Sequence, residues 1–126
     1  MEETLRYDNS TQALARLATR DVELHGQRIH AGDMVVLLVG SANRDERVFD
    51  DPARYDILRD TSQSLAFGFG THFCLGASLA RLEARVGLEE LWRRLPDYEI
   101  DLAASSRVHS VNVRGFAHLT LQTQKR

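Results

Sequence analysis

The sequence predicts an α+β fold with one long helix and several short antiparallel strands. Apolar residues at three- and four-residue steps, beginning with Leu75, Leu79, Leu82 and Val86, are typical of an amphipathic helix. The continuous apolar run MVVLLVG at 34–40 is too short for a helix of that kind and indicates a strand. Short strand-like segments, DYEI, VHSVNV and HLTLQT, follow the helix.

Composition limits the class of protein. With 126 residues, 43% of them hydrophobic and 27% charged, the chain resembles a soluble domain of ordinary size. Its 16 basic and 18 acidic residues give a net charge of -2, which argues against nucleic-acid binding and against a polybasic membrane anchor. One cysteine cannot form an internal disulfide, and no apolar leader begins the chain. These features predict a cytoplasmic protein.

The first third of the chain predicts a short helix followed by a small antiparallel sheet. Residues 2–8 favour a helix that begins abruptly, without a capping residue, which suggests a truncated domain. The sheet is expected from Leu14 to Leu38, with a hairpin at His25 and Gly26. Within it, the apolar run at 34–40 is expected to be a buried strand.

The rest of the chain predicts a meander, the long helix and a hairpin. The polar stretch 41–64 shows little periodicity and is expected to be irregular. The helix is expected from Cys74 to Leu95, because Pro96 ends it. The strand-like segments after Pro96 predict a C-terminal hairpin.

The segment FGFGTHFCLG, residues 67–76, places the single cysteine at the start of this helix. The unpaired N–H groups of a helix N-terminus favour an anion, so Cys74 is expected to be held toward the thiolate form. Gly68, Gly70 and Gly76 permit unusual backbone angles and the close approach of a large partner. The loop is therefore suited to presenting a sulfur anion.

Three uses of such a thiolate can be compared. A zinc site is disfavoured, because the sequence has no second cysteine and no pair of histidines at ligand spacing. A hydrolase nucleophile would need a base, for which His72 is the nearest candidate in sequence. An axial ligand of haem iron needs only one protein sulfur. A phosphate-binding loop is not indicated, since Phe73 stands where the third glycine of such a loop would be and no G-K-[ST] is present.

The segment resembles the haem-binding signature of cytochrome P450, F-G-x-G-x-H-x-C-x-G, at every fixed position. The resemblance implies haem b as the cofactor, with Cys74 as its axial thiolate ligand. It also implies that residues 1–126 are the C-terminal, haem-ligating portion of one domain. The expected structure is then an α+β fragment of the mainly α cytochrome P450 fold.

Two further motifs resemble elements of the same family. Glu3 and Arg6 match its E-x-x-R motif, although a Glu/Arg pair three residues apart is more often a solvated surface pair. PARY, at 52–55, resembles its P-x-R-F element, with Tyr55 in place of phenylalanine. The resemblance implies that Glu3, Arg6 and Arg54 form a network that braces the cysteine loop.

The resemblance also implies contacts with haem and with substrate. Arg16 and His72 are expected to donate hydrogen bonds to the haem propionates, and Phe67 to pack on the porphyrin beside the sulfur. With Cys74 and the three glycines they complete the expected cofactor-binding set. The expected substrate contacts are Gln12, Leu14, Val111 and Asn112.

The implied function is that of a haem-thiolate monooxygenase, which inserts one oxygen atom of O2 into a small organic substrate. Electrons would come from a ferredoxin or a flavoprotein, for whose docking Arg81 and Arg85 are candidates. The resemblance covers about the last third of the family's fold and does not include the distal half. The alternative is therefore a non-catalytic remnant or a weak haem-binding module.

Overall fold

The structure is a computed structural model that describes residues 1–123. Short antiparallel strands, one long helix and irregular connections make up the chain, which confirms the predicted α+β class. The helices and strands, in chain order, are α1 Glu2–Tyr7, β1 Leu14–Leu17, β2 Val22–Leu24, β3 Gln27–Ile29, β4 Met34–Leu37, α2 Val39–Ala42, α3 Ala77–Arg94, β5 Tyr98–Arg107 and β6 Phe116–Thr123.

The strands between α1 and α2 are antiparallel, as predicted, but they divide into two separate ladders. β1 pairs with β4, so that Leu14 lies opposite Leu37, whereas β2 pairs with β3 alone. The predicted hairpin between β2 and β3 is present, and His25 and Gly26 both have positive φ, at 49° and 74°. Such angles are typical of tight two-residue turns.

The prediction that the run at 34–40 is a buried strand is wrong in its burial. β4 is a strand, but Met34 is 73% exposed and Val36 is 56% exposed. The physical reason is that β1 and β4 form a two-stranded ladder, and no second layer within residues 1–123 covers it. A continuous apolar run indicates a strand that can be covered on both faces, but it does not identify the elements that cover it.

The long helix α3 begins three residues later than predicted and ends close to the predicted position. Cys74 and Leu75 belong to a turn before the helix, in which the amide of Ala77 donates to the carbonyl of Cys74 at 3.1 Å. The apolar face is present, but Leu79 is 58% exposed, and among the residues of α3 only Ala77 is buried. The helix therefore presents an uncovered apolar face within the described chain.

The C-terminal hairpin is confirmed, although one of its three expected segments is not a strand. β5 and β6 pair antiparallel, with Tyr98 opposite Thr123. VHSVNV, at 108–113, forms the connection instead, and its only pairing is an isolated bridge between Val113 and Thr11. The Ser110 hydroxyl lies 3.2 Å from the amide of Val113, so the chain turns where alternation predicted a strand.

The best-buried cluster in the chain is polar and lies between α1, α2 and the meander. It contains the side chains of Glu3, Arg6 and Asn43, of which Arg6 and Asn43 are fully buried. Phe49 covers it, with its ring 5.2 Å from the Arg6 guanidinium carbon. Buried charges require partners, so this cluster is where a specific network is to be found.

No helix within residues 1–123 combines the length and the apolar character needed to cross a bilayer.

Candidate functional site

Glu3 and Arg6 form a buried, two-pronged ion pair rather than a solvated one. Arg6 Nε and Nη2 donate to the two carboxylate oxygens of Glu3 at 2.7 and 2.8 Å. The fixed fork of the guanidinium matches a carboxylate in this geometry, which is strong because both partners are charged. The hydrogen bonds from Arg6 are the main reason that the pKa of Glu3 falls from its ordinary value of 4.5 to about 2. Burial opposes this shift without cancelling it.

Arg6 also ties α1 to two later parts of the chain. Its Nη1 donates to the carbonyl of Asn43 at 2.7 Å, and its Nη2 to the carbonyl of Pro52 at 3.1 Å. One side chain therefore holds α1 against the end of α2 and against the start of the PARY element. Tyr55 of that element adds a hydrogen bond between its hydroxyl and that of Thr4, at 2.8 Å.

The second arginine of the network is Arg59, and the expectation for Arg54 is corrected. Arg59 Nε lies 3.3 Å from Glu3 Oε1, and its side chain is 11% exposed. Its Nη2 donates to the carbonyls of Asp51 and Arg54 at 3.0 and 3.2 Å. Arg54 instead forms a surface pair with Asp56 at 3.0 Å, with its side chain 65% exposed.

A turn explains this exchange of arginines. The amide of Arg59 donates to the carbonyl of Asp56 at 3.0 Å, and the amide of Asp56 donates to Glu3 Oε1 at the same distance. The turn brings Arg59 back onto the carboxylate and leaves Arg54 facing solvent. The sequence signal that could have found Arg59 is its place just after PARYD, but no spacing rule separates the two arginines before the turn is known.

Asn43 links this network to the cysteine loop and was not identified from the sequence. Its carbonyl accepts from Arg6, while its Oδ1 accepts from the amide of Leu65 at 2.7 Å. The carbonyl of Leu65 in turn accepts from the amide of Gly68 at 2.9 Å. An isolated asparagine in a polar stretch carries no motif, so only the fold shows its role.

The cysteine loop is a tight, hydrogen-bonded turn that leaves the thiol exposed. The amide of Cys74 donates to the carbonyl of Phe67 at 2.8 Å, and Gly70–His72 form one 3-10 turn between them. Gly68 and Gly70 have φ of 75° and 63°, which strongly favours glycine. A Cβ on Gly68 would also lie 3.1 Å from the carbonyl oxygen of His72.

Gly76 behaves differently from the other two glycines of the loop. Its φ is -85°, an ordinary value for any residue. A Cβ placed there would lie 3.9 Å from Sγ of Cys74, which is normal van der Waals contact. The absence of a side chain at Gly76 therefore leaves open space beside the sulfur and is not required by the backbone.

An open cleft of about 310 Å³ lies beside the loop and brings together the two residues expected to hold the propionates. Arg16 reaches it from β1, and His72 from the loop. The guanidinium of Arg16 donates to the carbonyl of its neighbour Ala15 at 2.9 Å, and it has no ion-pair partner among residues 1–123. The remaining lining residues are mainly apolar: Leu14, Leu37, Leu38, Val39, Ala42, Leu65, Gly68 and Phe69.

This cleft has the chemistry that haem requires. Apolar walls suit a porphyrin, whereas a guanidinium and an imidazole suit its carboxylates. The exposed thiol of Cys74 lies two residues beyond His72, on the same loop. The donor set present in this chain therefore fits a haem held by a single sulfur.

Phe67 lies at the inner end of the loop, under the side chain of Arg81. The guanidinium carbon of Arg81 is 4.6 Å from the centre of the Phe67 ring. Arg81 also forms a two-pronged ion pair with Glu2, at 2.8 and 2.9 Å. A docking role was expected for Arg81, but its guanidinium is engaged within the chain.

The four residues expected to contact substrate do not all line the same cleft. The amide of Gln12 donates to the carbonyl of Asn112 at 2.8 Å, so these two residues are neighbours. Leu14 lines the cleft beside the cysteine loop, whereas Val111 is 98% exposed. The Gln12 side chain lies in a separate polar cleft of about 390 Å³.

The other two uses of the cysteine find no geometric support in the part of the chain that the structure describes. No hydrogen bond there joins the ring of His72 to the thiol of Cys74, as a nucleophile and its base would require. No group of three His, Cys, Asp or Glu side chains is placed there to hold a metal ion.

Comparisons with known proteins agree on one family. The family model described as "Cytochrome P450" matches residues 1–111. Cytochrome P450 123 of Mycobacterium tuberculosis is 56% identical over 127 residues, covering 100% of this chain and 32% of that protein. The steroid C26-monooxygenase of the same species is 47% identical over 100 residues, covering 79% of this chain and 27% of that protein.

Solved structures show the same likeness in three dimensions. The testosterone complex of CYP109E1 from Bacillus megaterium matches with a TM-score of 0.90 and 41% identity, covering 98% of this chain and 35% of that chain. The post-tailoring hydroxylase HmtN of himastatin biosynthesis matches with a TM-score of 0.92 and 40% identity, covering 98% of this chain and 34% of that chain.

The chain thus spans about a third of the length of the relatives that it matches. Over that third its backbone superposes on theirs, with TM-scores of 0.90 and 0.92. Proteins of this kind bind haem through a cysteine thiolate. The chain belongs to the cytochrome P450 family.

Proposed function

We propose that residues 1–126 are the C-terminal, haem-ligating portion of a cytochrome P450 monooxygenase domain, with Cys74 as the axial ligand. One observation carries the proposal. Cys74 is exposed, its backbone amide is held by the carbonyl of Phe67, and its loop contributes Gly68, Phe69 and His72 to an apolar cleft that also carries Arg16.

Each residue of the site has a role in this proposal. Arg16 and His72 donate hydrogen bonds to the propionates, and the ring of Phe67 packs beside the sulfur. Gly68 and Gly70 allow the turn that presents Cys74, and Gly76 leaves room next to Sγ. The amide of Cys74 remains fixed to the Phe67 carbonyl, so the backbone that carries the sulfur is held in place.

The buried network is proposed to brace this loop. Its hydrogen bonds run from Glu3 through Arg6 to Asn43, and from Asn43 to Leu65 at the start of the loop. Arg59 closes the other edge of the Glu3 carboxylate. Moving the loop would require breaking the hydrogen bond from the Leu65 amide to Asn43, and the carbonyl of Asn43 is itself held by the buried guanidinium of Arg6.

When bound, haem supplies the chemistry by which one oxygen atom of O2 is inserted into an organic substrate. We propose a ferredoxin or a flavoprotein as the electron donor. Two matched structures are complexes, one of CYP109E1 with testosterone and one of P450BioI with an acyl carrier protein ligated to hexadec-9Z-enoic acid, which supports a substrate with a large apolar part. Gln12, Leu14, Val111 and Asn112 remain the candidate contacts from this chain.

A haem titration of the purified chain tests the proposal. Wild type is expected to take up one haem and to give, after reduction and addition of carbon monoxide, the thiolate-type Soret band that names the family. Cys74→Ala should lose that band, whereas His109→Ala, outside the site, should keep it. A band that is identical in Cys74→Ala would contradict thiolate ligation by this residue.

A second candidate is a non-catalytic chain that binds haem weakly or not at all. Two features favour it. The apolar face of α3 is uncovered, and the cleft beside the cysteine loop is open, so that few of the described residues would enclose a haem. Absence of specific haem uptake by the wild-type chain would select this candidate.

A further inference from the structure

The side chain of Arg81 connects three parts of the molecule. It extends from α3, forms an ion pair with Glu2 at the start of α1, and lies over the ring of Phe67 in the cysteine loop. Both nitrogens that face Glu2 are used, Nε at 2.8 Å and Nη2 at 2.9 Å. A guanidinium held at two points has a fixed position, and its central carbon lies over the Phe67 ring, 4.6 Å from the ring centre.

Phe67 transmits this arrangement to the cysteine. Its carbonyl accepts the amide hydrogen of Cys74 at 2.8 Å, so the ring and the thiol belong to one hydrogen-bonded turn. A displacement of Phe67 that moves its backbone would therefore act on the hydrogen bond that holds the amide of Cys74.

α3 has little else to hold it against α1. Within residues 1–123, the pair between Arg81 and Glu2 is the only ion pair that joins α3 to another element. The other two, from Arg93 and Arg94 to Glu90, lie within the helix itself. Loss of the Arg81 contact should thus free the helix as well as the ring.

We propose that Arg81, oriented by Glu2, is a positioning residue that fixes the ring of Phe67 and through it the haem-ligating turn at Cys74. The proposal rests on the proposed function, because it gives a role in haem ligation to residues that do not touch the sulfur. It replaces the expected docking role for Arg81, whose guanidinium is engaged by Glu2 and Phe67, and leaves the exposed Arg85 as a docking candidate.

Charge supports the same arrangement. The hydrogen bond from Arg81 is the largest cause of a lowered pKa of Glu2, so the carboxylate stays ionised at neutral pH. The pair is partly exposed, and an isolated pair of this kind contributes modestly. Its importance here is geometric: it fixes the plane of a cation that lies on an aromatic ring.

The test follows the ring of Phe67 directly. The chain has five phenylalanines, so 4-fluorophenylalanine labelling gives five fluorine resonances, and Phe67→Leu assigns one of them. Arg81→Ala and Glu2→Ala are each expected to shift the Phe67 resonance in the haem-free chain. The double variant should match Arg81→Ala alone, because Glu2 acts through Arg81.

Haem affinity is the second readout of the same variants. Arg81→Ala is expected to weaken haem binding by about three- to tenfold, the change that a loss of about 1 kcal/mol produces. Arg81→Lys, which keeps the charge and lacks the planar group, should fall between wild type and Arg81→Ala in both readouts. Arg93→Ala, which removes the α3 pair to Glu90, is the matched control and should change neither.

The outcomes separate this inference from the proposed function. An unshifted Phe67 resonance in Arg81→Ala, or equal and additive shifts from Glu2→Ala and Arg81→Ala, would overturn the positioning role. Either result can be read in the haem-free chain. If wild type takes up no haem while the Phe67 resonance responds as expected, the proposed function fails and the contact between Arg81 and Phe67 stands without a role in ligation.

Discussion

At the scale of single residues, the most deeply buried side chains include a carboxylate and a guanidinium. Glu3 is 3% exposed and Arg6 is fully buried, in a chain where many leucines and valines face solvent. Burying such charges is unfavourable unless they are paired and hydrogen-bonded, as they are here. Removing one partner should therefore cost more than removing most apolar side chains of this chain.

The Glu3 carboxylate should make stability depend on acid pH. Its folded pKa of about 2 lies below the ordinary 4.5, so its contribution is complete above about pH 4.5 and is lost as the pH falls toward 2. A shift of this size corresponds to about 3 kcal/mol. We expect the free energy of unfolding, from urea titrations between pH 6 and 2, to fall more steeply in wild type than in Glu3→Gln.

The comparison with Glu3→Gln isolates this carboxyl from others that also titrate in acid. Asp45, for example, has a pKa lowered to about 2 by the guanidinium of Arg47, and it is present in both proteins. Parallel pH profiles for wild type and Glu3→Gln would contradict the assigned role.

The two candidate arginines of the network should differ in their effect on stability. Arg59→Ala removes a nearly buried partner of Glu3 and leaves backbone carbonyls without a donor, so we expect a loss of about 1–3 kcal/mol. Arg54→Ala removes an exposed pair and should cost less than about 0.5 kcal/mol. Urea midpoints of the two variants, measured side by side, check this order; the reverse order would restore Arg54 to the network.

At the scale of elements, glycine occurs in the cysteine loop for two different reasons. Gly68 has a φ of 75° and sits close to the carbonyl of His72, so the fold of the turn requires it. Gly76 has ordinary angles and faces the sulfur, so only a bound partner would require it. The sequence motif contains both without distinguishing them.

Alanine at these two positions should separate folding from haem binding. Gly68→Ala is expected to destabilise the haem-free chain by about 1–2 kcal/mol, because the left-handed conformation is strained for a residue with a Cβ. Gly76→Ala should leave the haem-free stability within about 0.5 kcal/mol of wild type and weaken haem binding. Thermal unfolding of the haem-free chain, followed by haem titration, measures both effects; a strong loss of apo stability in Gly76→Ala would be contrary to this interpretation.

At the scale of the whole molecule, apolar surface exceeds what the described residues can cover. α3 presents Leu79, Leu82, Val86 and Trp92 to solvent, and β4 does the same with Met34. Contiguous exposed apolar surface is typical of an interface. In the matched P450 structures this chain corresponds to about a third of the molecule, so we propose that the remaining two thirds of such a domain cover these faces.

The exposed face of α3 should cause self-association of the chain in isolation. Leu79→Lys and Trp92→Lys are expected to lower the apparent mass at a given concentration, since each removes apolar area of the order of 100 Å² from the patch. Sedimentation velocity across a concentration series measures this. Glu83→Lys, which adds positive charge elsewhere on α3, is the control; an equal effect of all three changes would point to net charge rather than to the apolar face.

The sequence was most informative where a chemical requirement is local. The cysteine, its flanking glycines and the following helix could be identified from residues 67–95 because the turn and the amphipathic period are encoded by neighbours. The hairpin at His25 and Gly26 could be found for the same reason. VHSVNV was misread as a strand, because alternation does not reveal that Ser110 turns the chain.

The sequence by itself determined the family, the ligand-bearing loop, the long helix and the two hairpins, since these depend on residue types at fixed local spacing. Only the tertiary structure decided which arginine pairs with Glu3, that Asn43 carries the network to the loop, and that Arg81 lies on Phe67. Each of these contacts joins residues that are between 14 and 56 positions apart. Their pairing depends on how turns return the chain to α1, which no local pattern records.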